Sequence, residues 1–136
     1  MRLEPIPFLT ELFKAAVARA DPALTLAKAL PPIPTEARLI VLGGGKAAAS
    51  MAAALEQAWP RPMKGLVVTR YGHACPLERI EVIEAGHPMP DAAGADAARR
   101  MLELAESAGA DDLVVFLASG GASALLAAPA PGVTIE

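Results

Sequence analysis

Along the first thirty residues, Leu9, Leu12, Phe13, Ala16, Val17 and Ala20 recur at the i, i+3, i+4, i+7 spacing of a helix with one buried face. Asp21 followed by Pro22 supplies an N-cap with proline at the first helical position, which predicts a second helix to about Leu30. Pro31, Pro32 and Pro34 then forbid helix. From Glu36 short β-rich runs alternate with alanine-rich stretches, the pattern of a parallel sheet with crossover helices. Residues 38–42, 65–69, 80–84 and 113–117 are the predicted strands. Helices are predicted from about Lys46 to Ala58, from an Asp91 cap to about Ala108, and from about Ala122 onward. The second of these has Ala95, Ala98, Met101, Leu102 and Ala105 on its apolar side and Gly109 as its C-terminal cap. The expected fold class is α/β: a Rossmann-like parallel sheet over residues 36–136, preceded by a two-helix segment over residues 1–35.

Composition narrows the classes. The chain has 136 residues, 54% of them hydrophobic, a net charge of -3 and a single cysteine. That length fits one core. Alanine accounts for 31 of the hydrophobic residues, so the excess reflects small side chains for close packing rather than a greasy chain. No run reaches the roughly 18 apolar residues of a membrane span, and Glu4, Glu11 and Lys14 interrupt the start where a signal peptide would be apolar. A cytoplasmic protein without membrane or nucleic-acid partners is expected, since no basic footprint is present. Cys75 has no partner for a disulfide, and His73 and Cys75 have no second ligand pair, so no metal site is assigned.

Three strand ends carry candidate chemistry. In the first, Gly43, Gly44 and Gly45 lead into Lys46, Ala47 and Ala48, and a strand–glycine–helix turn gathers backbone N–H groups and the positive helix end into an anion site. A P-loop would need glycine at Ile40 and a hydroxyl at Ala47. The dinucleotide pattern G-x-G-x-x-G/A is met by Gly43, Gly45 and Ala48, but Thr69 and Arg70 stand where an acidic residue is expected, and Arg70 suits the 2′-phosphate of NADP. Simple close packing is the alternative reading of the glycines. Lysine opposes the dipole in a first helical turn, so Lys46 there favours a bound anion.

The second is Ser119, Gly120, Gly121, Ala122 and Ser123, where hydroxyls and glycines suit a phosphate or carboxylate, although Ser119 is also a plausible N-cap. Leu125 occupies the last glycine position of the G-x-S-x-G nucleophile elbow, which disfavours a serine hydrolase. The third is Glu84 to Asp91, in which His87 lies between Gly86 and Pro88 on a rigid loop. After these, Thr134, Ile135 and Glu136 read as the cap and first turn of a further element. The sequence is therefore expected to be the N-terminal portion of a longer protein, with an incomplete domain.

Taken in order, Gly43 to Ala48, Val68 to Gly72, Glu84 to Asp91 and Ser119 to Leu126 resemble the class II glycerate 2-kinases, the MOFRL family, some members of which carry the older label hydroxypyruvate reductase. The resemblance implies ATP- and Mg2+-dependent phosphorylation of the 2-hydroxyl of D-glycerate to 2-phosphoglycerate in a cleft between two domains. It implies catalysis by Lys46, and substrate or phosphate binding by Gly43, Gly44, Gly45, His87, Ser119, Gly120, Gly121 and Ser123. Magnesium ligands are expected beyond Glu136. Two rivals stay open: an NADP-dependent hydroxypyruvate reductase, and a non-catalytic ligand-binding or assembly module. An unpaired sheet edge predicts self-association into a homo-oligomer, and an isolated piece should be inactive.

Overall fold

The computed structural model describes residues 4–32, 34 and 36–135. Helices α1 (Pro5–Arg19) and α2 (Pro22–Ala29) precede β1 (Arg38–Gly44), α3 (Ala48–Ala58), β2 (Met63–Arg70), β3 (Ile80–Ala85), α4 (Ala92–Glu106), β4 (Asp112–Ala118) and α5 (Ala122–Leu125). The four strands form one parallel sheet in the order β3-β2-β1-β4. Both faces of β1 are buried, because helices cover the sheet on each side. Leu39 and Val41 pack with Ala48, Ala52 and Leu55 of α3, while Ile40 and Leu42 pack with Ala97 and Met101 of α4 and Leu125 of α5. The alanines act as expected: Ala48, Ala49, Ala52 and Ala54 of α3, with Ala97 and Ala98 of α4, are almost wholly buried.

Strand order follows from the two crossovers. The connection through α3 carries the chain from β1 outward to β2 on one face, and the connection through α4 carries it from β3 back past β1 to β4 on the other. The direction of winding therefore reverses between β1 and β4. In open α/β sheets, the carboxyl ends of two such strands flank the ligand crevice.

Local signals explain most boundaries. Asp21 caps α2 by accepting the Ala23 N–H at 2.9 Å, with Pro22 at N1, and Asp91 caps α4 by accepting the Gly94 N–H at 2.9 Å. Arg38 and Asp112 face each other in the β1–β4 register and form a two-pronged ion pair at 2.7 and 2.8 Å, so β4 starts one residue earlier than its apolar run.

Three expectations are corrected. The apolar stripe of α1 is not buried; Phe13 is 69% exposed and no residue of this helix is buried, so the periodicity marks an amphipathic helix whose apolar face has no cover among the described residues. α4 ends at Glu106 with Ser107 as its cap, and Gly109 lacks the left-handed conformation of a C-terminal cap; its N–H donates instead to the Asp112 carboxylate at 2.8 Å. The buried stripe of α4 is rotated, with Gly94 and Ala97 inside and Leu102 57% exposed. At the far end, Thr134 and Ile135 belong to no regular element, and Glu136 lies outside the described residues.

Candidate functional site

The carboxyl ends of the strands bring the three candidate motifs to one edge. β1 runs through Gly44, so Gly43 and Gly44 are strand residues, paired with Leu117 and Ala118 of β4, and not members of the turn. A Cβ on Gly43 would lie 2.8 Å from the Leu117 carbonyl oxygen, and one on Gly44 would lie 2.5 Å from the Leu126 side chain. Backbone packing requires glycine at position 43, whereas at position 44 the Leu126 side chain would have to shift. Gly45 begins the turn with a φ of 127°, and its missing Cβ would fall 2.2 Å from Ser119 Oγ.

α3 begins at Ala48 with Ala47 as its N-cap, so Lys46 precedes the helix rather than lying in its first turn. The anion cradle expected in this turn is closed. Gly45 N–H donates to Val68 O at 3.0 Å, Lys46 N–H to Gly120 O at 2.9 Å and Ala48 N–H to Gly45 O at 3.1 Å. Ala47 N–H donates to Ser119 Oγ at 3.0 Å, and Ser119 N–H returns to Gly44 O at 3.0 Å. Ser119 is therefore a staple between the β1–α3 and β4–α5 turns, and the N-cap of α5 is Gly121.

What the first turn closes, the second leaves open. The N–H groups of Gly120, Gly121 and Ala122 have no hydrogen-bond acceptor among the described residues, and nothing lies within 4 Å of a Cβ built on Gly120. Gly121 has a φ of 93°, and its missing Cβ would fall 2.8 Å from His87 Nε2 and 3.4 Å from Lys46 Cγ. The space that glycine vacates is thus where the lysine stem meets the imidazole. Lys46 is exposed and pairs with no carboxylate among the described residues. Ser123 sits exposed on α5.

A second set of contacts supports this edge. Thr69 is completely buried at the end of β2, with its hydroxyl directed to the Lys46 carbonyl oxygen at 3.4 Å. The Tyr71 hydroxyl donates to Asp91 Oδ2 at 2.8 Å and ties the loop after β2 to the loop that carries His87. The Gly94 amide, the Tyr71 hydroxyl and the amides of Gly86 and Ala93 hold the Asp91 carboxyl below its ordinary range against the opposing effect of burial; in turn Asp91 raises the Tyr71 hydroxyl. Likewise the Ala74 amide, with those of His73 and Gly72, keeps Glu84 ionised below its ordinary range despite burial. Sequence patterns do not reveal the Tyr71–Asp91 bond, but a threonine closing an otherwise apolar buried strand is a legible sign of Thr69's role.

The assembled edge offers an exposed lysine and an imidazole that meet beside Gly121, next to three open amides, which suits an oxyanion or a phosphoryl group. It does not offer a metal cage: among the described residues no group of three or more His, Cys, Asp or Glu side chains is arranged to hold an ion.

Comparison with known proteins identifies the family. Residues 8–136 match the model of a family described as a domain of unknown function, DUF4147. The chain is 48% identical over 128 residues to a protein of Agrobacterium vitis that carries a hydroxypyruvate reductase name, covering 93% of this chain and 29% of that protein. It is 40% identical over 128 residues to the D-glycerate 2-kinase of Thermotoga maritima, covering 93% of this chain and 30% of that one. The crystal structure of glycerate kinase from Thermotoga maritima superposes with a TM-score of 0.78 at 37% identity, covering 92% of this chain and 30% of that chain. A crystal structure of a Pyrococcus horikoshii protein superposes with a TM-score of 0.82 at 32% identity, covering 99% and 33%. The chain spans 29–30% of the length of these curated relatives.

Proposed function

This chain belongs to the DUF4147 family, and from that premise we propose that the protein is an ATP-dependent D-glycerate 2-kinase to which these residues contribute one wall of the active site. The carrying observation is the convergence of Lys46, the open amides of Gly120 to Ala122, and His87 where the winding of the sheet reverses. Phosphoryl transfer asks a protein chiefly for positioning and for positive charge around the transferring group. Lys46 supplies that charge from a flexible stem, and the open amides bind phosphate oxygens. His87 borders the acceptor. The 2-hydroxyl oxygen of D-glycerate bonds to the γ-phosphorus of ATP, the bond from that phosphorus to the β–γ bridging oxygen breaks, and the hydroxyl proton is released.

Ser119, Gly43, Gly44 and Gly45 act in this reading by shape. They bring the two turns together so that the second stays open, and Ser123 lies on the helix that follows. Magnesium accompanies ATP in kinases generally, and the described residues offer no cage for it.

The reductase name among the relatives keeps one rival in view. Against it stands the closed β1–α3 turn, whose amides are already engaged and cannot cradle a dinucleotide pyrophosphate. Incubating the whole encoded protein with ATP, magnesium and D-glycerate should yield 2-phosphoglycerate by phosphorus NMR. Consumption of NADPH with hydroxypyruvate, and no phosphorylated product, would select the reductase; ligand binding without turnover of either would select a non-catalytic module.

A further inference from the structure

Arg70 is another cation at the carboxyl edge, and the kinase reading gives it no task. It ends β2, one residue beyond Thr69, whose hydroxyl touches the Lys46 carbonyl, and it pairs in register with Ala85, two residues before His87. The alternation of the strand puts Arg70 on the side of Leu66 and Val68, the side packed against Leu125 and therefore the side of the Gly121 turn. Its Nε donates to His73 Nε2 at 2.6 Å. That bond orients the guanidinium while leaving its two terminal nitrogens without partners among the described residues.

The chain's other arginines near the sheet are differently occupied. Arg38 is spent on Asp112, Arg100 on Glu81, and Arg79 on three carbonyl oxygens at the end of α3. The acid beside Arg70, Glu84, is engaged by backbone amides and forms no ion pair with it. An arginine held at Nε by an imidazole nitrogen, with its terminal fork free at a ligand-binding edge, is suited to a two-pronged contact with a planar anion.

We propose that Arg70, oriented by His73, binds the carboxylate of the hydroxy-acid substrate, leaving Lys46 and the Gly120–Ala122 amides to the phosphoryl group. This assignment rests on the kinase reading for its substrate. It explains why the site carries cations of both kinds: a point charge on a flexible stem for a group that moves, and a fixed planar fork for a group that stays.

The test is steady-state kinetics of the whole protein with Arg70→Ala, Arg70→Lys and His73→Ala, together with calorimetry of D-glycerate binding without nucleotide. Arg70→Ala should raise KM for D-glycerate by about tenfold or more and leave KM for ATP within about twofold. Arg70→Lys should recover part of the loss, and His73→Ala should show a smaller rise in the same constant. A rise confined to KM for ATP, or no change in either constant, overturns the proposal. Calorimetry separates it from the kinase reading: if the wild type turns over no glycerate yet binds it, and Arg70→Ala abolishes that binding, the carboxylate site stands without the kinase. A wild type that does not bind glycerate overturns the site.

Discussion

The Ser119 hydroxyl oxygen accepts the backbone N–H of Ala47 at 3.0 Å, and this bond fastens the turn after β1 to the turn after β4 across 72 residues of sequence. Its consequence is an inversion of roles. The glycine-rich turn, with its amides turned inward, becomes the support, and the shorter Ser-Gly-Gly turn becomes the surface that faces a ligand.

Replacing Ser119 by alanine should leave the partly buried Ala47 N–H without its acceptor and lower stability by about 1–2 kcal/mol. Urea unfolding should show a lower midpoint with an unchanged slope. An unaltered midpoint would mean that the staple contributes nothing to holding the two turns together.

Glycine substitutions should separate support from surface. Gly45→Ala drives a Cβ to within 2.4 Å of both Ser119 Oγ and the Ser119 carbonyl oxygen at a φ of 127°, and should cost about 3 kcal/mol or more. Gly120→Ala meets nothing within 4 Å and should change stability by no more than about 0.5 kcal/mol. Equal effects of the two on thermal unfolding would contradict the description of the turns.

Acid sensitivity should trace in part to Glu56. Burial opposes its ionisation, but the amides of Glu78, Arg79 and Ile80, at 3.0, 2.8 and 2.9 Å, together with the charge of Arg79, outweigh burial and hold its carboxyl below the ordinary range. A depressed carboxyl stabilises the fold above its unfolded value, about 4.3, and that contribution disappears as pH falls through the lower folded value. Glu56→Gln should therefore be less stable than wild type at pH 7, and the difference should narrow below about pH 4. A gap that stays constant down to pH 3 in urea titrations would count against this origin.

Much of the architecture was legible because local and tertiary signals agree. Asp21-Pro22 and Asp91 cap the helices they announce, and the apolar runs before Gly43 and Ser119 are the strands expected of them. The errors arise where distant residues decide. The burial of α1 cannot be read from its own periodicity, because an amphipathic stripe states a capacity and not a partner. Gly43 and Gly44 read as a turn because glycine marks turns, yet they are strand residues that let Leu117 and Leu126 approach. Lys46 reads as part of a helix that in fact begins two residues later, since Gly120 and Ser119 capture the Lys46 and Ala47 amides first. The site itself was legible as three motifs at strand ends, but the strand order that joins them and the contact of His87 with Gly121 were not, because both depend on the α4 crossover.

The most direct measurement compares wild type with Lys46→Ala in the whole protein, following 2-phosphoglycerate formed from ATP and D-glycerate while circular dichroism monitors the fold. Lys46 is exposed and its side chain has no partner among the described residues, so its loss should leave the melting temperature within about 2 °C while kcat falls by about a thousandfold or more. A well-folded Lys46→Ala protein that phosphorylates D-glycerate at the wild-type rate would contradict the account.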